Sequence, residues 1–385
     1  MNSVPILPGS TIGILGGGQL GRMTAMAARE MGYRVRALDP DANSASRYLV
    51  EEHLQASFED ADAAERLARE SDVVTIEIEK VGIHCLERAA AFAPTRPGAK
   101  LLHIVQDRAL QKAFLSGKGF PLGDYRTIAT QAELGAALSE LGGRTFVKVA
   151  RGGYDGRGQF ETETANDAAA AFAALGGERC VVEKALPIEM EISVMCARSP
   201  SGEIAVYPPA QNHHVDRILA WSALPAAIPD ALRQQAEEIG REVALALGVE
   251  GLLCLELFVV AGALLLNEVA PRPHNSYHAT VVGCGTSQFE QHVRAICDLP
   301  LGSVEVVRPA AIANLLGDLW VDGKTPAFDR ALAHPGVRLH LYGKTGAKPG
   351  RKMGHLSATA ATTAEATQLV QAAVATLQPG SLQPT

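Results

Sequence analysis

The sequence is poor in aromatic residues, in cysteine and in positive charge, and each shortage excludes a class of protein. Only 5% of its 385 residues are aromatic and 20% are charged, whereas 47% are hydrophobic. An intrinsically disordered chain needs low hydrophobicity and high charge, so this composition predicts a folded protein. The formal net charge of -7 is opposite in sign to the broad basic surface that coats nucleic acid. We therefore expect small-molecule partners and no nucleic-acid partner.

The cysteines and the apolar runs also limit where the protein works. The six cysteines are scattered without a C-x-x-C pair, which favours reduced, buried thiols over a zinc site or a disulfide framework. The longest apolar stretch, residues 251–266, is interrupted by Glu256 and is shorter than the ~20 residues of a membrane span. The first apolar run leads into glycines and has no signal-peptide pattern. These features predict a cytoplasmic protein with no membrane partner.

Strand and helix patterns alternate along the first hundred residues. A β-rich run at 11–15 precedes a glycine segment and a helical pattern over 22–31, and another buried-strand pattern follows at 73–78. Alternation at this spacing predicts a parallel sheet with crossover helices. Prolines and a glycine in the mid-nineties indicate the end of this α/β unit.

The rest of the chain reads differently. The middle block predicts an α+β unit with an antiparallel sheet, including a hydrophobic hairpin over 252–269. The last stretch predicts a strand at 337–342, a basic, glycine-containing loop, and a helix from about residue 363 to 377.

Residues Gly16 to Gly21 fit the pattern G-x-G-x-x-G between a strand and a helix. Backbone N–H groups at a helix N-terminus bind phosphates of many kinds, so the motif by itself indicates an anion site. Asp39 lies about where a dinucleotide-binding fold places its ribose ligand. A tight turn that packs helix against strand would need the same glycines, and the pattern leaves both interpretations open.

A second glycine loop, residues 152–159, follows a strand that ends in Val147-Lys148-Val149. Its amides could fold over a triphosphate with Lys148 behind them as a point charge, although no Gly-Lys-Ser/Thr follows as in a Walker A loop. A hairpin tip rich in turn formers is the alternative. Glu183-Lys184 at the end of a later strand, with Glu191 on the next, would suit an adenine or a ribose, but Glu-Lys is a common surface dipeptide.

Two glutamates in the predicted hairpin carry the most specific chemistry. Glu256 and Glu268 lie six positions on either side of Gly262. A loop with an odd number of residues would place them opposite each other on one face, whereas a two-residue loop would place them on opposite faces. Facing carboxylates in an apolar hairpin repel unless a divalent cation such as Mg²⁺ binds between them. Two solvent-facing glutamates are the alternative.

Two further segments concentrate positive charge. Pro271 and Pro273 stiffen the backbone that presents Arg272, and His274 and Asn275 follow directly. From residue 331 to 364 there are five Lys or Arg and no Asp or Glu, in an acidic protein. A charge run is usually a solvated face, but the glycines around Lys344 and Arg351 suit a phosphate clamp.

Together these segments resemble those of ATP-grasp carboxylate–amine ligases, and within them the 5-(carboxyamino)imidazole ribonucleotide synthases of purine biosynthesis. The shared segments are GGGQLGRM, GGYDGRGQ, EK-x-x-x-x-E-x-E, NE-x-APRPHNS and Y-G-K…PGRKMGH, in the family's order over nearly the whole chain. The resemblance implies an ATP-grasp architecture that combines α/β and α+β parts. Its parts would be an N-terminal Rossmann-like domain over 1–106, a central ATP-grasp domain over 107–302 and a small C-terminal domain over 303–385.

The resemblance also implies the reaction. ATP would phosphorylate bicarbonate to carboxyphosphate, and the exocyclic amine of 5-aminoimidazole ribonucleotide would attack the carboxyl carbon, directly or through released CO₂. The products would be 5-(carboxyamino)imidazole ribonucleotide, ADP and phosphate. ATP and Mg²⁺ are the implied cosubstrate and cofactor, and a homodimer is the implied assembly.

Site residues are carried over by motif. ATP would bind to Arg108, Lys148, Gly153, Tyr154, Asp155, Gly156, Arg157, Gly158, Gln159, Glu183, Lys184, Ala185, Leu186, Glu191, His214, Asn267 and Glu268. Mg²⁺ would be held by Glu256 and Glu268. The ribonucleotide would contact Gln19, Leu20, Glu79, Tyr154, Asp155, Arg272, His274, Asn275, Lys344 and Arg351. Catalysis would involve Tyr154, Asp155, Arg272 and Lys352.

Two positions depart from the family pattern, and three rival functions remain. Arg157 stands where lysine is expected, and Tyr277 stands where glycine is more usual and could crowd the pocket.

One rival is a sister ligase that activates formate or an amino acid. Another is an NAD-dependent oxidoreductase, which leaves Glu256, Glu268 and the second glycine loop without a role. The third is a catalytically silent nucleotide-binding regulator.

Overall fold

The structure is a computed structural model that describes residues 4–153 and 158–377. Its first part is a four-stranded parallel sheet in the order β3-β2-β1-β4, as the alternating pattern predicts. The strands are β1 (Thr11–Leu15), β2 (Arg34–Leu38), β3 (Glu52–Leu54) and β4 (Val73–Ile76). The helices are α1 (Gln19–Glu30), α2 (Ala61–Arg69), α3 (Ile83–Ala90) and α4 (Ala99–Val105). β1 and β4 are buried along their whole length because helices cover both faces.

A small antiparallel sheet follows, with its strands in the order β5-β8-β6-β7. Its elements are α5 (Arg108–Gly117), β5 (Tyr125–Ile128), α6 (Gln131–Leu141), β6 (Thr145–Val149), β7 (Gln159–Thr162), α7 (Ala168–Ala174) and β8 (Cys180–Lys184). α6 and α7 cover one face, where Leu134 and Leu138 pack with Val147 and Val182. The other face is left for the site.

The largest sheet is antiparallel and runs β14-β13-β9-β11-β12-β15-β17-β16, with β10 paired to β9. Its central elements are β9 (Met190–Arg198), β10 (Ile204–Val206), β11 (Ala210–Val215), β12 (Ile218–Leu224), α8 (Asp230–Leu247), β13 (Gly251–Val260), β14 (Ala263–Ala270), α9 (Thr280–Gly283) and α10 (Gln288–Ile296). Its C-terminal elements are β15 (Ala310–Leu316), α11 (Phe328–Leu332), β16 (Arg338–Leu341), β17 (Lys352–Thr359) and α12 (Thr363–Ala375). The C-terminal strands therefore extend the central sheet through the β12–β15 pair.

One helix of the middle block joins the N-terminal part to the rest. Val293 and Ile296 of α10 pack in the same hydrophobic cluster as Ile12, Ile14 and Ala25. α10 thus completes the core on one face of the parallel sheet, and the carboxyl ends of β1 and β4 come to lie beside the large sheet. Within the described residues, no helix has the length and hydrophobicity needed to cross a bilayer.

Two of the expected elements differ in the structure. The first helix begins at Gln19, three residues before the expected Arg22. The sequence pattern missed its first turn because Gly21 interrupts the apolar pattern there. The expected basic loop after β16 ends at Arg351, since Lys352–Thr359 is the strand β17. Several buried residues of this strand are polar, including His355 at 0% exposed. The strand therefore lacks the hydrophobic pattern by which it could be recognised in the sequence.

Two helical glycines allow a matched test of packing. A Cβ at Gly240 of α8 would lie 2.7 Å from Cγ1 of Val194, whereas a Cβ at Gly135 of α6 would meet nothing closer than 3.9 Å. Gly135→Ala should therefore stabilise the protein by about 0.5–1 kcal/mol through helix propensity. Gly240→Ala should destabilise it by about 1–3 kcal/mol through overpacking. Urea unfolding measures both changes, and equal effects of the two substitutions would contradict the packing of α8 on β9.

Candidate active site

Glu256 of β13 and Glu268 of β14 lie in the hairpin at one edge of the large sheet. The hairpin turn consists of Ala261 and Gly262, whose φ angles of 49° and 74° fit a two-residue turn of type I′. The loop is therefore not the odd-numbered one that would by itself place the two glutamates on one face. On the turn alone, the two glutamates would point to opposite faces of the sheet.

A β-bulge restores the facing arrangement. Leu257 pairs with Leu266, as the turn dictates, but the register shifts by one residue before the next pair, which is Glu256 with Glu268. Asn267 is the extra residue on β14. The predicted pairing of the two carboxylates is thus confirmed, although it arises from the bulge and not from the loop.

The two paired carboxylates have different electrostatic surroundings. Burial and the facing Glu268 raise the pKa of Glu256 to about 7. Burial also acts to raise the pKa of Glu268, but Arg108, with Nη2 2.7 Å from Oε2 of Glu268, holds that pKa below its usual value. Near neutral pH Glu268 is therefore ionised and Glu256 is about half-protonated, and the pair shares a site suited to a proton or a cation.

Cations surround Glu183 at the end of β8. Lys148 of β6 contacts its carboxylate, and Nζ of Lys112 in α5 lies 3.0 Å from Oε1. These lysines and Arg108 outweigh burial and lower the pKa of Glu183 to about 2. Sequence reasoning missed Lys112, which is 3% exposed, because a lysine in an amphipathic helix is usually solvated. The lysines fix the position of the Glu183 carboxylate, and Glu183 in turn fixes Lys148.

Glu191 and His214 stand on the neighbouring strands β9 and β11. Nδ1 of His214 lies 2.7 Å from Oε2 of Glu191. Burial alone would lower the pKa of His214, but its contact with Glu191 raises it overall. His214 and Glu191 both act electrostatically on Glu256, so this pair borders the hairpin site.

The backbone that follows β8 is held by the small sheet. The N–H groups of Lys184 and Ala185 donate to the carbonyl oxygens of Asp124 and Arg144. Gly158 accepts a hydrogen bond from the N–H of Val149 at the start of β7. Of the predicted glycine loop, Tyr154, Asp155, Gly156 and Arg157 lie outside the described residues, and their roles stay predictions.

Arg272 and His274 connect the hairpin to the N-terminal part. Nε of Arg272 lies 2.8 Å from Oε1 of Glu79, and Nε2 of His274 lies 3.4 Å from Oε1 of Glu256. Burial and the nearby Arg272 and Lys352 lower the pKa of His274 well below its usual value, so its ring is neutral. Lys352, the first residue of β17, also acts on Glu256.

Residues from the N- and C-terminal parts meet at Gln19. Nζ of Lys344 lies 3.2 Å from Oε1 of Gln19 and donates to the carbonyl oxygen of Lys352 at 2.7 Å. Arg351 donates to the carbonyl oxygens of Thr345 and Gly346 at 2.6 and 2.8 Å, which closes the basic loop on itself. The family resemblance predicts that Gln19 and Lys344 contact the same ligand, whereas no other feature of the sequence indicates that they lie close together.

Asn275 is less accessible than predicted. Its side-chain amide forms two reciprocal hydrogen bonds with that of Asn314 in β15, at 3.1 and 2.7 Å, and both side chains are buried. Asn275 therefore joins the 3₁₀ turn after β14 to the C-terminal strands. Any contact with a ligand must come in addition to this amide pair.

The first glycine segment is occupied by the protein's own carboxylates. Glu77 accepts hydrogen bonds from the N–H groups of Gly18 and Gly21, at 2.8 and 2.7 Å. Asp39 accepts from the N–H of Gly17 at 2.7 Å. At these three amides the anion is internal, so the expected ligand site is restricted to Gln19 and Leu20. Both oxygens of the buried Asp39 thus accept backbone hydrogen bonds, since Oδ1 also accepts from the N–H of Asp41 at 2.8 Å.

Tyr277 does not crowd the pocket, and this expectation is wrong. Its side chain is 0% exposed, and its hydroxyl lies 2.8 and 2.9 Å from the carbonyl oxygens of Ser193 and Pro208. The ring packs at a steep angle against Tyr207, with centroids 5.9 Å apart. The aromatic side chain thus fills the core beside the sheet.

A metal site must be completed by a ligand. Across residues 4–153 and 158–377, no three or more His, Cys, Asp or Glu side chains are grouped to hold a metal ion by themselves. The facing Glu256 and Glu268 nonetheless fit a hard cation, because two carboxylates offer oxygen ligands and their repulsion is relieved by positive charge. Phosphate oxygens would supply the remaining ligands.

Comparison with known proteins identifies the family. Three family models match: the ribonucleotide synthetase preATP-grasp domain over residues 9–106, the ATP-grasp domain over 113–289, and the phosphoribosylaminoimidazole carboxylase C-terminal domain over 310–369. The N5-carboxyaminoimidazole ribonucleotide synthase of Bacillus subtilis is 39% identical over 93% of both chains. The chain belongs to this family. The enzyme of the same name from Brucella melitensis is 41% identical, over 93% of this chain and 98% of the relative.

Solved structures agree with the assignment to this family. An ADP complex of an N5-carboxyaminoimidazole ribonucleotide synthetase has a TM-score of 0.90 at 40% identity, covering 96% of this chain and 97% of that one. The Aspergillus clavatus synthase, solved with ADP and 5-aminoimidazole ribonucleotide, has a TM-score of 0.88 at 34% identity, covering 96% and 98%. The protein is therefore an ATP-grasp ligase of purine biosynthesis that uses ATP. The oxidoreductase interpretation is wrong.

The raised pKa of Glu256 predicts an unusual pH dependence of stability. Its folded-state pKa of about 7 lies above the 4.5 of an ordinary glutamate, so the folded protein keeps a proton that the unfolded chain loses. Stability should therefore fall as pH rises between these values. Glu256→Gln removes this loss and should stabilise the metal-free protein at pH 8 by up to about 3 kcal/mol, with the gain vanishing toward pH 4.5.

Urea unfolding between pH 4.5 and 8, in the presence of a chelator, measures this effect. Glu242→Gln, at an exposed glutamate of α8, is the matched control and should show no pH-dependent gain. The same pH dependence in wild type and Glu256→Gln would show that Glu256 is an ordinary, ionised glutamate.

Proposed function

We propose that the protein carboxylates 5-aminoimidazole ribonucleotide with bicarbonate, using ATP and passing through carboxyphosphate. The observation that carries the proposal is the position of Glu256. It pairs with Glu268 on the side of the predicted ATP residues, and it lies 3.4 Å from His274 on the side of the predicted ribonucleotide residues. Glu256 thus borders both half-sites. The reaction needs such neighbouring half-sites, because bicarbonate first receives a phosphoryl group from ATP and then gives its carboxyl group to the amine. The relatives' complexes with ADP and with 5-aminoimidazole ribonucleotide support the same assignment.

ATP would lie between the small sheet and the hairpin. Lys148 would contact its phosphates as a point charge, with Glu183 and Lys112 fixing the ammonium group in position. Arg108 would keep Glu268 ionised and correctly oriented. Glu256 and Glu268 would hold Mg²⁺, which when bound neutralises charge on the phosphates. Because the pKa of Glu256 is near 7, cation binding would displace its proton.

Bicarbonate and the substrate amine would meet beside Arg272. The ion pair with Glu79 fixes the guanidinium group, which can bind a planar carboxylate-like anion through two hydrogen bonds. Nδ1 of His274 accepts a hydrogen bond from the N–H of Ser276, so its neutral ring presents an Nε2–H donor to the site. Lys352 adds positive charge nearby. No side-chain nucleophile is required, because carboxyphosphate is already an activated anhydride. Catalysis then consists of positioning and of stabilising charge as it develops.

The ribonucleotide would extend from Arg272 toward the N- and C-terminal parts. Gln19, Leu20 and Lys344 meet there, and Arg351 shapes the basic loop that carries Lys344. Positive charge is concentrated in this loop although the protein is acidic overall. A singly phosphorylated substrate fits this distribution of charge.

The remaining proposals concern organisation and location. We propose domain boundaries after residues 106 and 302, a homodimeric assembly, and activity in the cytoplasm. The six cysteines are free and five of them are buried, which is consistent with a reducing compartment.

A coupled assay of ADP release tests the proposed function. With bicarbonate present, ADP release should depend on 5-aminoimidazole ribonucleotide and should not respond to glycinamide ribonucleotide. Glu268→Gln should lower this rate by about 100-fold or more while the protein stays folded, since a lost metal ligand forfeits about 3 kcal/mol or more of transition-state stabilisation.

Glu237→Gln is the matched control, because Glu237 also pairs with an arginine, Arg233 of α8, but lies outside the site. It should retain the full rate. A response to glycinamide ribonucleotide would indicate a sister ligase, and near-parental ATP cleavage by Glu268→Gln would refute the metal assignment.

A further inference from the structure

His278 lies where the three parts of the chain meet, and both of its ring nitrogens face side-chain amides. It is 0% exposed. Nδ1 of His278 lies 3.0 Å from Nε2 of Gln288 in α10. Nε2 of His278 lies 2.9 Å from Nε2 of Gln19 in α1. The sequence motifs assign no role to His278 or Gln288.

The orientation of Gln288 is fixed by the backbone of a neighbouring residue. Its Oε1 accepts a hydrogen bond from the N–H of His274 at 2.8 Å, and its Nε2 donates to the carbonyl oxygen of His274 at 2.9 Å. Rotating this amide by 180° would place its NH₂ group against the N–H of His274 and its oxygen against the carbonyl oxygen of His274. Gln288 must therefore present its NH₂ group to His278, and Nδ1 of His278 must accept.

His278 can accept at only one nitrogen, because a neutral imidazole has one acceptor and one N–H. Burial, with the nearby His340, Lys352 and Lys344, lowers the pKa of His278 to about 3, so the ring is neutral at physiological pH. With Nδ1 as the acceptor, the proton resides on Nε2. The Nε2–H group then needs an acceptor, and Gln19 is its neighbour.

The side-chain oxygen of Gln19 is the acceptor available to this N–H. A 180° rotation of the Gln19 amide exchanges its oxygen and nitrogen without moving any other atom. With the oxygen toward His278, the NH₂ group occupies the other amide position, which is 3.2 Å from Nζ of Lys344. Two donors at this separation repel each other unless one acceptor receives hydrogen bonds from both.

We propose that His278, held in its Nε2–H form by Gln288, is a positioning residue that directs the Gln19 NH₂ group and the Lys344 ammonium toward one anionic oxygen of the ribonucleotide. The identity of the ligand rests on the proposed function, whereas the tautomer of His278 does not. The arrangement links the N-terminal, central and C-terminal parts through one bound oxygen. It therefore favours the ribonucleotide over ligands that lack an anionic group at this point.

The tautomer can be observed directly. In the full-length protein with ¹⁵N-labelled histidine, long-range ¹H–¹⁵N spectra should show His278 as the neutral Nε2–H form from pH 6 to 8.5. The signals are assigned by their loss in His278→Gln. An Nδ1–H tautomer, or a ring that becomes charged in this range, would overturn the proposal.

Kinetics test the positioning role. His278→Phe keeps a ring against Phe289 and Tyr342 but loses both hydrogen bonds. It should raise KM for 5-aminoimidazole ribonucleotide about tenfold, as expected for one lost charge-assisted hydrogen bond, with KM for ATP changed by less than about twofold. His278→Gln offers an NH₂ donor near the position of Nε2 and should recover most of the loss. His340→Phe is the control and should leave both KM values unchanged, because His340 stacks on His355, which in turn contacts the ring of His278, but makes no hydrogen bond to His278 or Gln19.

The possible outcomes separate the two proposals. Equal increases in both KM values, or His278→Gln as impaired as a folded His278→Phe, would overturn the positioning role. If His278→Phe does not fold, the spectra and His278→Gln still decide the matter. If wild-type ADP release ignores 5-aminoimidazole ribonucleotide, the proposed function fails, while the spectra still test the tautomer.

Discussion

The repulsion between two facing carboxylates is the constraint on which the rest of the site depends. A β-bulge turns Glu256 and Glu268 to the same face of the hairpin, against the register that the two-residue turn dictates. Ion pairing with Arg108 keeps one carboxylate ionised, while burial and repulsion leave the other half-protonated near pH 7. Such a pair is unfavourable alone and would be favourable with a cation, which is the physical basis of the proposed metal–phosphate site.

A second theme is the use of internal groups to shape a ligand site. Glu77 occupies two amides of the first glycine segment, where a dinucleotide-binding fold would hold a phosphate. Lys112 and Lys148 are held by Glu183, and Arg272 is held by Glu79. Lys148 and Arg272, which would contact the substrates, are thus fixed beforehand by opposite charges, which reduces the reorganisation needed during the reaction.

Glu256 and Glu268 face each other as expected from the sequence, but through the bulge and not through their spacing. The sequence predicts the parallel N-terminal sheet and the antiparallel middle block, because these depend on hydrophobic period and on local spacing. It does not predict the bulge at Glu256, since a single inserted residue leaves no mark on a hydrophobic pattern. It also misses β17, Lys112 and Glu77, whose polar side chains are buried against partners distant in sequence. Tyr277 looked obstructive for the same reason: which way a side chain points is decided by tertiary packing.

The protonation of Glu256 gives the most direct test of the central claim. Calorimetric titration of the wild type with a magnesium complex of a non-hydrolysable ATP analogue, in buffers of different ionisation enthalpy at pH 7, counts the protons released on binding. A carboxylate with a pKa near 7 should release about half a proton when a cation binds to it. Glu256→Gln should release correspondingly less. The same proton release by both proteins would show that the cation does not bind at the facing carboxylates.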